Sequence, residues 1–305
     1  MFIEEYLQDL RRERYRPAAV GRYVARAWQR GRVDVARSPE AARSIVVLGL
    51  ALFGLAFIGS VAVALGAGLV EARRILLWTG LWLIPLTGCL LLHVGLLRDR
   101  QGYALSSVNL PTAVTAVRLA SVPAMALLLV HHHWKAAFWV VIAAMLTDVV
   151  DGWLARRLNQ ETQLGVVIDP VTDIFFHLTL FVSLWGAGLL AGWVAALAAV
   201  RYGGLLLGGF YLYVAHGPVR INSTLPGKIS GFVMSVMVGF LLLGASYGAG
   251  TLGPVLLPLT QDAVGVLLAG GVVHGAIMGW YNLRHAHAEA QAQRKVIRGV
   301  RFGDR

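Results

Sequence analysis

Residues 136–173 read AAFWVVIAAMLTDVVDGWLARRLNQETQLGVVIDPVTD, and the two apolar runs in this stretch, each with carboxylates inside it, decide the reading of the whole chain. Asp148 and Asp151 stand three apart, so on a helix they share a face. Asp169 and Asp173 stand four apart and share a face for the same reason. Gly152 and Ala155 continue the first face, and Gly165 the second, with almost no side chain. The link between the runs, 157–164, is short. It predicts two adjacent antiparallel helices with all four carboxylates near one end.

Apolar runs of about 20 residues, the length that crosses the hydrocarbon core, recur outward from this stretch. They lie near 43–66, 75–97, 112–131, 136–155, 166–186, 191–214, 229–249 and 263–283. The chain is 57% hydrophobic and 14% charged, whereas a soluble domain carries about 25% charged residues. These features predict an all-α polytopic membrane protein of eight spans and argue against a soluble enzyme. The first two runs have no charge in their interiors and read as scaffold or lipid-facing spans. The other six hold every embedded charge and read as the catalytic unit. The expected division is a basic, partly amphipathic cytoplasmic arm at 1–42, two additional spans at 43–100, a six-helix unit at 101–288 and a basic tail at 289–305.

In the arm, Phe2, Ile3, Tyr6, Leu7 and Leu10 recur at helical spacing, and Pro17 is expected to end that helix. No cleavable leader is expected, because the first apolar run follows some forty mostly polar residues. Cys89, the single cysteine, reads as a small buried apolar residue. His131, His132 and His133 read as a polar turn at the outer end of a span.

Basic residues set the orientation. With the N-terminus in the cytoplasm, 22 of the 27 Lys and Arg fall on the cytoplasmic side, and three (Arg73, Arg74 and Lys135) fall opposite. Arg118 and Arg201 lie within apolar runs. This places the chain in the cytoplasmic (inner) membrane with the loop at 156–164 facing the cytoplasm. The net charge of +11 reads as attraction to anionic membrane lipids. Nucleic acid is not an expected partner, since no soluble basic domain is present to bind it.

Of the 16 acidic residues, only Asp148, Asp151, Asp169 and Asp173 lie within spans. Each costs about 2.5–3.5 kcal/mol there on insertion scales, and clustered like charges oppose one another's ionisation. Cations are the natural compensation. Two Mg²⁺ (or Mn²⁺) ions balance four carboxylates. Mg²⁺ prefers oxygen ligands and completes its shell with substrate phosphates, and paired metals suit displacement at phosphorus. Arg156, at the end of the first helix, can meet a phosphate.

Asp148, Asp151, Gly152, Ala155, Arg156, Gly165, Asp169 and Asp173, at this spacing, resemble the signature of the CDP-alcohol phosphatidyltransferases at every fixed position. Asn109-Leu-Pro111-Thr-Ala-Val-Thr115-Ala-Val-Arg118 resembles the opening of the first core helix of that family, and Gly227-Lys228-Ile-Ser230 the basic turn before its fifth. The resemblance covers roughly 105–285. It implies an integral membrane transferase of phospholipid biosynthesis that moves a phosphatidyl group from CDP-diacylglycerol to an alcohol and releases CMP. It also implies a homodimer. Asp148, Asp151 and Asp169 would bind metal, and Asp173 would bind metal and act as general base. Gly152, Ala155, Arg156 and Gly165 would line the CDP site. Asn109, Arg118, Arg201 and Lys228 are candidate contacts to the acceptor or a phosphate.

Asp169-Pro170-Val-Thr-Asp173 is similar to the stretch in phosphatidylglycerophosphate and cardiolipin synthases, which have Ala before the last Asp and Lys after it. Here Thr172 and Ile174 stand in those places, so glycerol 3-phosphate, inositol phosphate, serine and phosphatidylglycerol all remain open as acceptors. His177, one turn beyond Asp173, reads as a satisfied buried histidine. The rival class is an ion transporter or channel with the aspartates as its path. Such sites lie near the midplane at broken helices, whereas these four cluster toward one surface.

The charge distribution predicts an accessibility pattern. In a Cys89→Ala background, a thiol probe that cannot cross the membrane should label His132→Cys in intact cells and miss Gln160→Cys. The reverse pattern would overturn the orientation.

Overall fold

A computed structural model describes residues 13, 15–158, 160–216, 225–247 and 253–302. The side chains of Asp151, Ala155, Arg156 and Lys228 lie outside the described set, as does the amphipathic pattern expected at residues 2–10. Among the described residues the helices are α1 (Pro17–Arg37), α2 (Pro39–Ala67), α3 (Leu69–Leu92), α4 (Leu110–Val130), α5 (Trp134–Leu158), α6 (Gln163–Gly186), α7 (Gly192–His216), α8 (Leu225–Tyr247) and α9 (Gly253–Phe302). A 3₁₀ turn (Val94–Leu96) follows α3. Seven helices among the described residues are long and apolar enough to cross a membrane. The remaining expected span is α5, which is 25 residues long and carries Lys135, Asp148 and Asp151. The all-α polytopic expectation therefore holds. α9 continues to Phe302, through the boundary expected at 288.

Helix α1 was not expected. Pro17 begins this helix, because at the first helical position its fixed φ fits and its missing N–H has no partner to lose, and the helix it was expected to end falls on residues outside the described set. Pro39 opens α2 in the same way after the single residue Ser38. The apolar signal for α1 is present in the sequence as Val20, Val24 and Trp28, all exposed on the isolated chain. It is diluted by five arginines between 22 and 37. Gly31 seats α1 against α3: a Cβ there would stand 2.8 Å from the Leu92 carbonyl oxygen.

Helices α2 and α3 form a hairpin through Gly68, whose φ of 93° needs a residue without a side chain. Gly49 of α2 lets Thr87 of α3 come close, since a Cβ there would meet Thr87 Oγ1 at 2.7 Å. Cys89 corrects an expectation: it is exposed, not buried. Much of the surface of α2 and α3 is left uncovered by the rest of the chain (Leu81 and Ile84 are also exposed), and in a membrane such a face meets lipid. The histidine turn between α4 and α5 is present, with His132 at a φ of 59°. His131 Nδ1 lies 2.7 Å from Glu71 Oε2 on α3.

The main core joins α4 to α9. Met125, Leu128 and Leu129 meet Phe176, Leu180, Phe181 and Leu184, with Met234, Leu242, Val264 and Leu268 closing the far side. A second cluster ties the N-terminal hairpin to the start of α6. There, Ile45, Leu90, Val94 and Leu97 bury Leu164, with Ile168 packed alongside. Trp82 of α3 donates its indole N–H to the Leu119 carbonyl at 2.9 Å and stacks on Phe175.

Helix α4 is central, packing against α3, α5 and α6. Helices α5 and α6 were expected to be antiparallel neighbours. Among the described residues the pair is held together mainly through α4, against which both pack extensively.

The close approach at Gly31 predicts a local effect. Gly31→Val should destabilise the α1–α3 contact by about 1–3 kcal/mol, the usual cost of overpacking. Limited proteolysis at the arginines of α1 should speed up while the transmembrane fragment stays intact. An unchanged cleavage rate would show that the contact does not hold α1.

Candidate functional site

One face of α4 brings polar groups into an otherwise apolar bundle. Asn109 caps the helix, its side-chain oxygen accepting from the Thr112 N–H at 3.3 Å. Thr112, Thr115 and Arg118 follow at intervals of three, and all are buried. At that spacing they form one stripe. The carboxylate helices meet this stripe.

Arg118, only 3% exposed, reaches between those helices. Its guanidinium donates to Asp148 Oδ1 on α5 and lies 3.0 Å from Asp173 Oδ1 on α6. Thr115 Oγ1 donates to Asp169 Oδ1 at 2.8 Å. Asp169 in turn lies within electrostatic reach of Arg118 and Asp148. The structure thus brings Asp148, Asp169 and Asp173 into one neighbourhood, organised by two residues of α4. Asp151 is one turn along α5 from Asp148, and its side chain lies outside the described residues.

The turn into α6 is built as closely. Thr162 caps that helix, accepting from the Gly165 N–H at 2.9 Å, and its hydroxyl pairs with that of Thr112 at 3.3 Å. A Cβ at Gly165 would meet Thr162 Oγ1 at 3.1 Å and Thr112 Oγ1 at 3.5 Å, with Asp169 Oδ2 at 3.9 Å. Glycine therefore keeps the hydroxyl pair and the carboxylate close together. Asn109 donates its side-chain amide to the Gln160 carbonyl. The segment after α3 also grips this link: Gln163 N–H donates to the Arg98 carbonyl at 2.9 Å, and Arg100 pairs with Glu161 at 2.8 Å. The two additional N-terminal helices thus lead directly into the support of the site.

The other candidates are placed as follows. His177 is satisfied, donating from Nδ1 to the Asp173 backbone carbonyl at 2.8 Å and stacking on Tyr202 at 5.2 Å. Arg201 lies over the Tyr202 ring, 5.6 Å from its centroid, and against Gly271 of α9. Tyr202 is within electrostatic reach of both Arg201 and Asp173. Gly152 is on α5 one residue after Asp151. Ala155 and Arg156 lie in the last turn of α5, and Lys228 in the first turn of α8, with their side chains undescribed.

The sequence reading missed the pairing of Thr115 with Asp169 and the Thr112–Thr162–Gly165 cluster. The signal was present as a polar residue at every third position, 109 to 118, at the start of an apolar run.

The donor set fits a hard divalent cation, being made of carboxylate oxygens. Side-chain exposures of 48% for Asp148 and 42% for Asp173 leave part of each carboxylate accessible. Among the described residues, however, no three of these side chains close around a single point. A family model described as CDP-alcohol phosphatidyltransferase matches residues 108–275. The chain is 33% identical over 177 residues to a protein of Mycobacterium tuberculosis assigned as a phosphatidylglycerophosphate synthase, covering 56% of this chain and 78% of that relative. It is 30% identical over 142 residues to another protein of the same organism, assigned as a cardiolipin synthase, covering 45% of this chain and 66% of the relative, just under two thirds. It is 42% identical over 69 residues to the CDP-diacylglycerol–glycerol-3-phosphate 3-phosphatidyltransferase of Wigglesworthia glossinidia brevipalpis, covering 22% of this chain and 38% of the relative. No solved structure matches the chain.

Thr115→Val keeps the shape of the side chain and removes the hydroxyl that holds Asp169. Losing such an orienting partner typically costs about 10–100-fold in metal affinity. Divalent-cation binding, followed by electron paramagnetic resonance of Mn²⁺, should weaken by that order, and wild-type affinity in the variant would show that Asp169 needs no such hold.

Proposed function

The chain belongs to the CDP-alcohol phosphatidyltransferase family, and on that premise we propose that it transfers a phosphatidyl group from CDP-diacylglycerol to glycerol 3-phosphate, releasing CMP at the cytoplasmic face of the membrane. The observation that carries this reading is the gathering of Asp148, Asp169 and Asp173 about the buried polar stripe of α4. The names of two of the relatives support glycerol 3-phosphate as the acceptor. The relative assigned as a cardiolipin synthase supports phosphatidylglycerol as the second reading.

In this reading Asp148, Asp151, Asp169 and Asp173 hold two Mg²⁺ or Mn²⁺ ions, which supply charge stabilisation to the phosphates and to the attacking and leaving oxygens. Asp173 is the base. Its partly exposed carboxylate takes the proton from the acceptor hydroxyl, whose oxygen bonds to the β-phosphorus as the bond to the CMP oxygen breaks. Proton transfer requires this carboxylate within hydrogen-bond reach of the hydroxyl. Gly152 and Ala155 leave room for the cytidine nucleotide beside the helices, Arg156 meets a phosphate, and Gly165 serves that site by letting the Thr112–Thr162 hydroxyl pair sit close to Asp169. Thr115 keeps Asp169 aimed, while the Thr162 cap fixes the start of α6 so that Asp169 and Asp173 project together. Arg201 and Lys228 are the proposed contacts to the acceptor phosphate.

Asp173→Asn keeps the size of the side chain and removes the base. Loss of general-base assistance alone costs about 10²–10⁴-fold in rate. CMP release from CDP-diacylglycerol should fall at least that far, and EDTA should abolish it in the wild type, while His177→Gln should change it much less. Cation flux through liposomes that depends on Asp173, with no CMP release from wild-type protein, would favour an ion path instead.

A further inference from the structure

We propose that Arg118 is a built-in counter-ion that holds Asp148 and Asp173 together and competes with divalent cations for them. This rests on the reading of the aspartates as cation ligands. The guanidinium is nearly inaccessible, and it pairs with carboxylates on two different helices that both pack on α4. Arginine suits the position because its planar fork offers separate N–H edges to two acceptors and stays charged at any accessible pH. A lysine ammonium is a compact point charge on a flexible stem.

The two α4 partners act differently. Thr115 is a neutral donor to one oxygen of Asp169. It orients that carboxylate and leaves its charge available. Arg118 brings a full positive charge from a buried position to carboxylates that are themselves only partly buried. A cation that reaches these carboxylates meets both the repulsion of the guanidinium and oxygens already engaged. Among the described residues, Asp148, Asp169 and Asp173 do not close around a single point, and a guanidinium that draws Asp148 and Asp173 toward itself accounts for this. Arg118 cannot release both carboxylates, because a buried charge left without a partner is strongly unfavourable. It therefore keeps its contact through one oxygen of each carboxylate while their remaining oxygens turn to the metals. The consequence is a site that stays assembled in the absence of metal and binds cations weakly until anionic phosphates of the nucleotide supply further ligands.

The test uses the full chain in nanodiscs, stripped with chelator, without substrate. The readouts are Mn²⁺ binding by electron paramagnetic resonance and thermal unfolding in EDTA. Arg118→Gln should bind Mn²⁺ about tenfold more tightly at low salt, the order expected for removing one unit charge several ångström away in a half-exposed site. Its unfolding temperature in EDTA should fall, and the stabilisation gained on adding Mn²⁺ should widen. Arg118→Lys keeps the charge but loses the fork, so it should fall between the two on both measures. Mn²⁺ affinity in Arg118→Gln equal to or weaker than wild type overturns the proposal. If that variant does not fold in EDTA, Arg118→Lys carries the same test, and affinity no tighter than wild type overturns it. Failure here leaves phosphatidyl transfer standing, since CMP release is not the readout. A wild-type protein that binds no Mn²⁺ contradicts the metal reading on which the proposal rests.

Discussion

Carboxylates inside a membrane span need positive partners, and the rest of this structure is arranged around that need. A single ionised aspartate in the hydrocarbon region is costly, and four in one bundle oppose one another as well. The chain meets the need with one helix. Along α4, polar residues at every third position face α5 and α6. Thr115 takes Asp169, while Arg118 takes Asp148 and Asp173. The apolar remainder of α4 then packs Met125, Leu128 and Leu129 into the main core. One face of a single helix thus serves the site at one end and the core at the other.

The N-terminal hairpin follows from the same need. A carboxylate pair is useful only if the turn between its helices is fixed, and the link from α5 to α6 is too short to fold on its own. The segment after α3 holds it through Arg98, Arg100 and the Asn109 side chain, and Leu164 is buried among residues of α2 and of the turn after α3. The family match begins at residue 108, so the contacts of Arg98 and Arg100 and the residues that bury Leu164 come from outside the matched region, and only Asn109 lies within it. The two additional spans are therefore part of the framework of the site.

Much of this was legible in the sequence. Runs of twenty apolar residues gave the spans, and the spacing of the four aspartates placed them on two helix faces near one end. Less legible was anything that depended on which helix stands between two others. The short link at 157–164 implied that α5 and α6 are antiparallel neighbours, since length alone shows that two helices are close and not what wedges them. The position of Arg118 between the carboxylates follows from that wedge, so its partners could not be read from an arginine inside an apolar run. Helix α1 was missed because frequent arginines mask an amphipathic pattern when mean apolarity is the guide. Cys89 was misjudged because burial in a membrane protein divides between protein and lipid, and sequence apolarity does not separate them.

The central claim is that this constellation transfers a phosphatidyl group. The most direct measurement is a product assay of purified wild-type protein with radiolabelled CDP-diacylglycerol and Mg²⁺, supplied in turn with glycerol 3-phosphate, phosphatidylglycerol, inositol phosphate and serine. The account predicts one phospholipid product, formed with glycerol 3-phosphate, matched mole for mole by CMP and absent in EDTA. CMP release from none of these mixtures would contradict it.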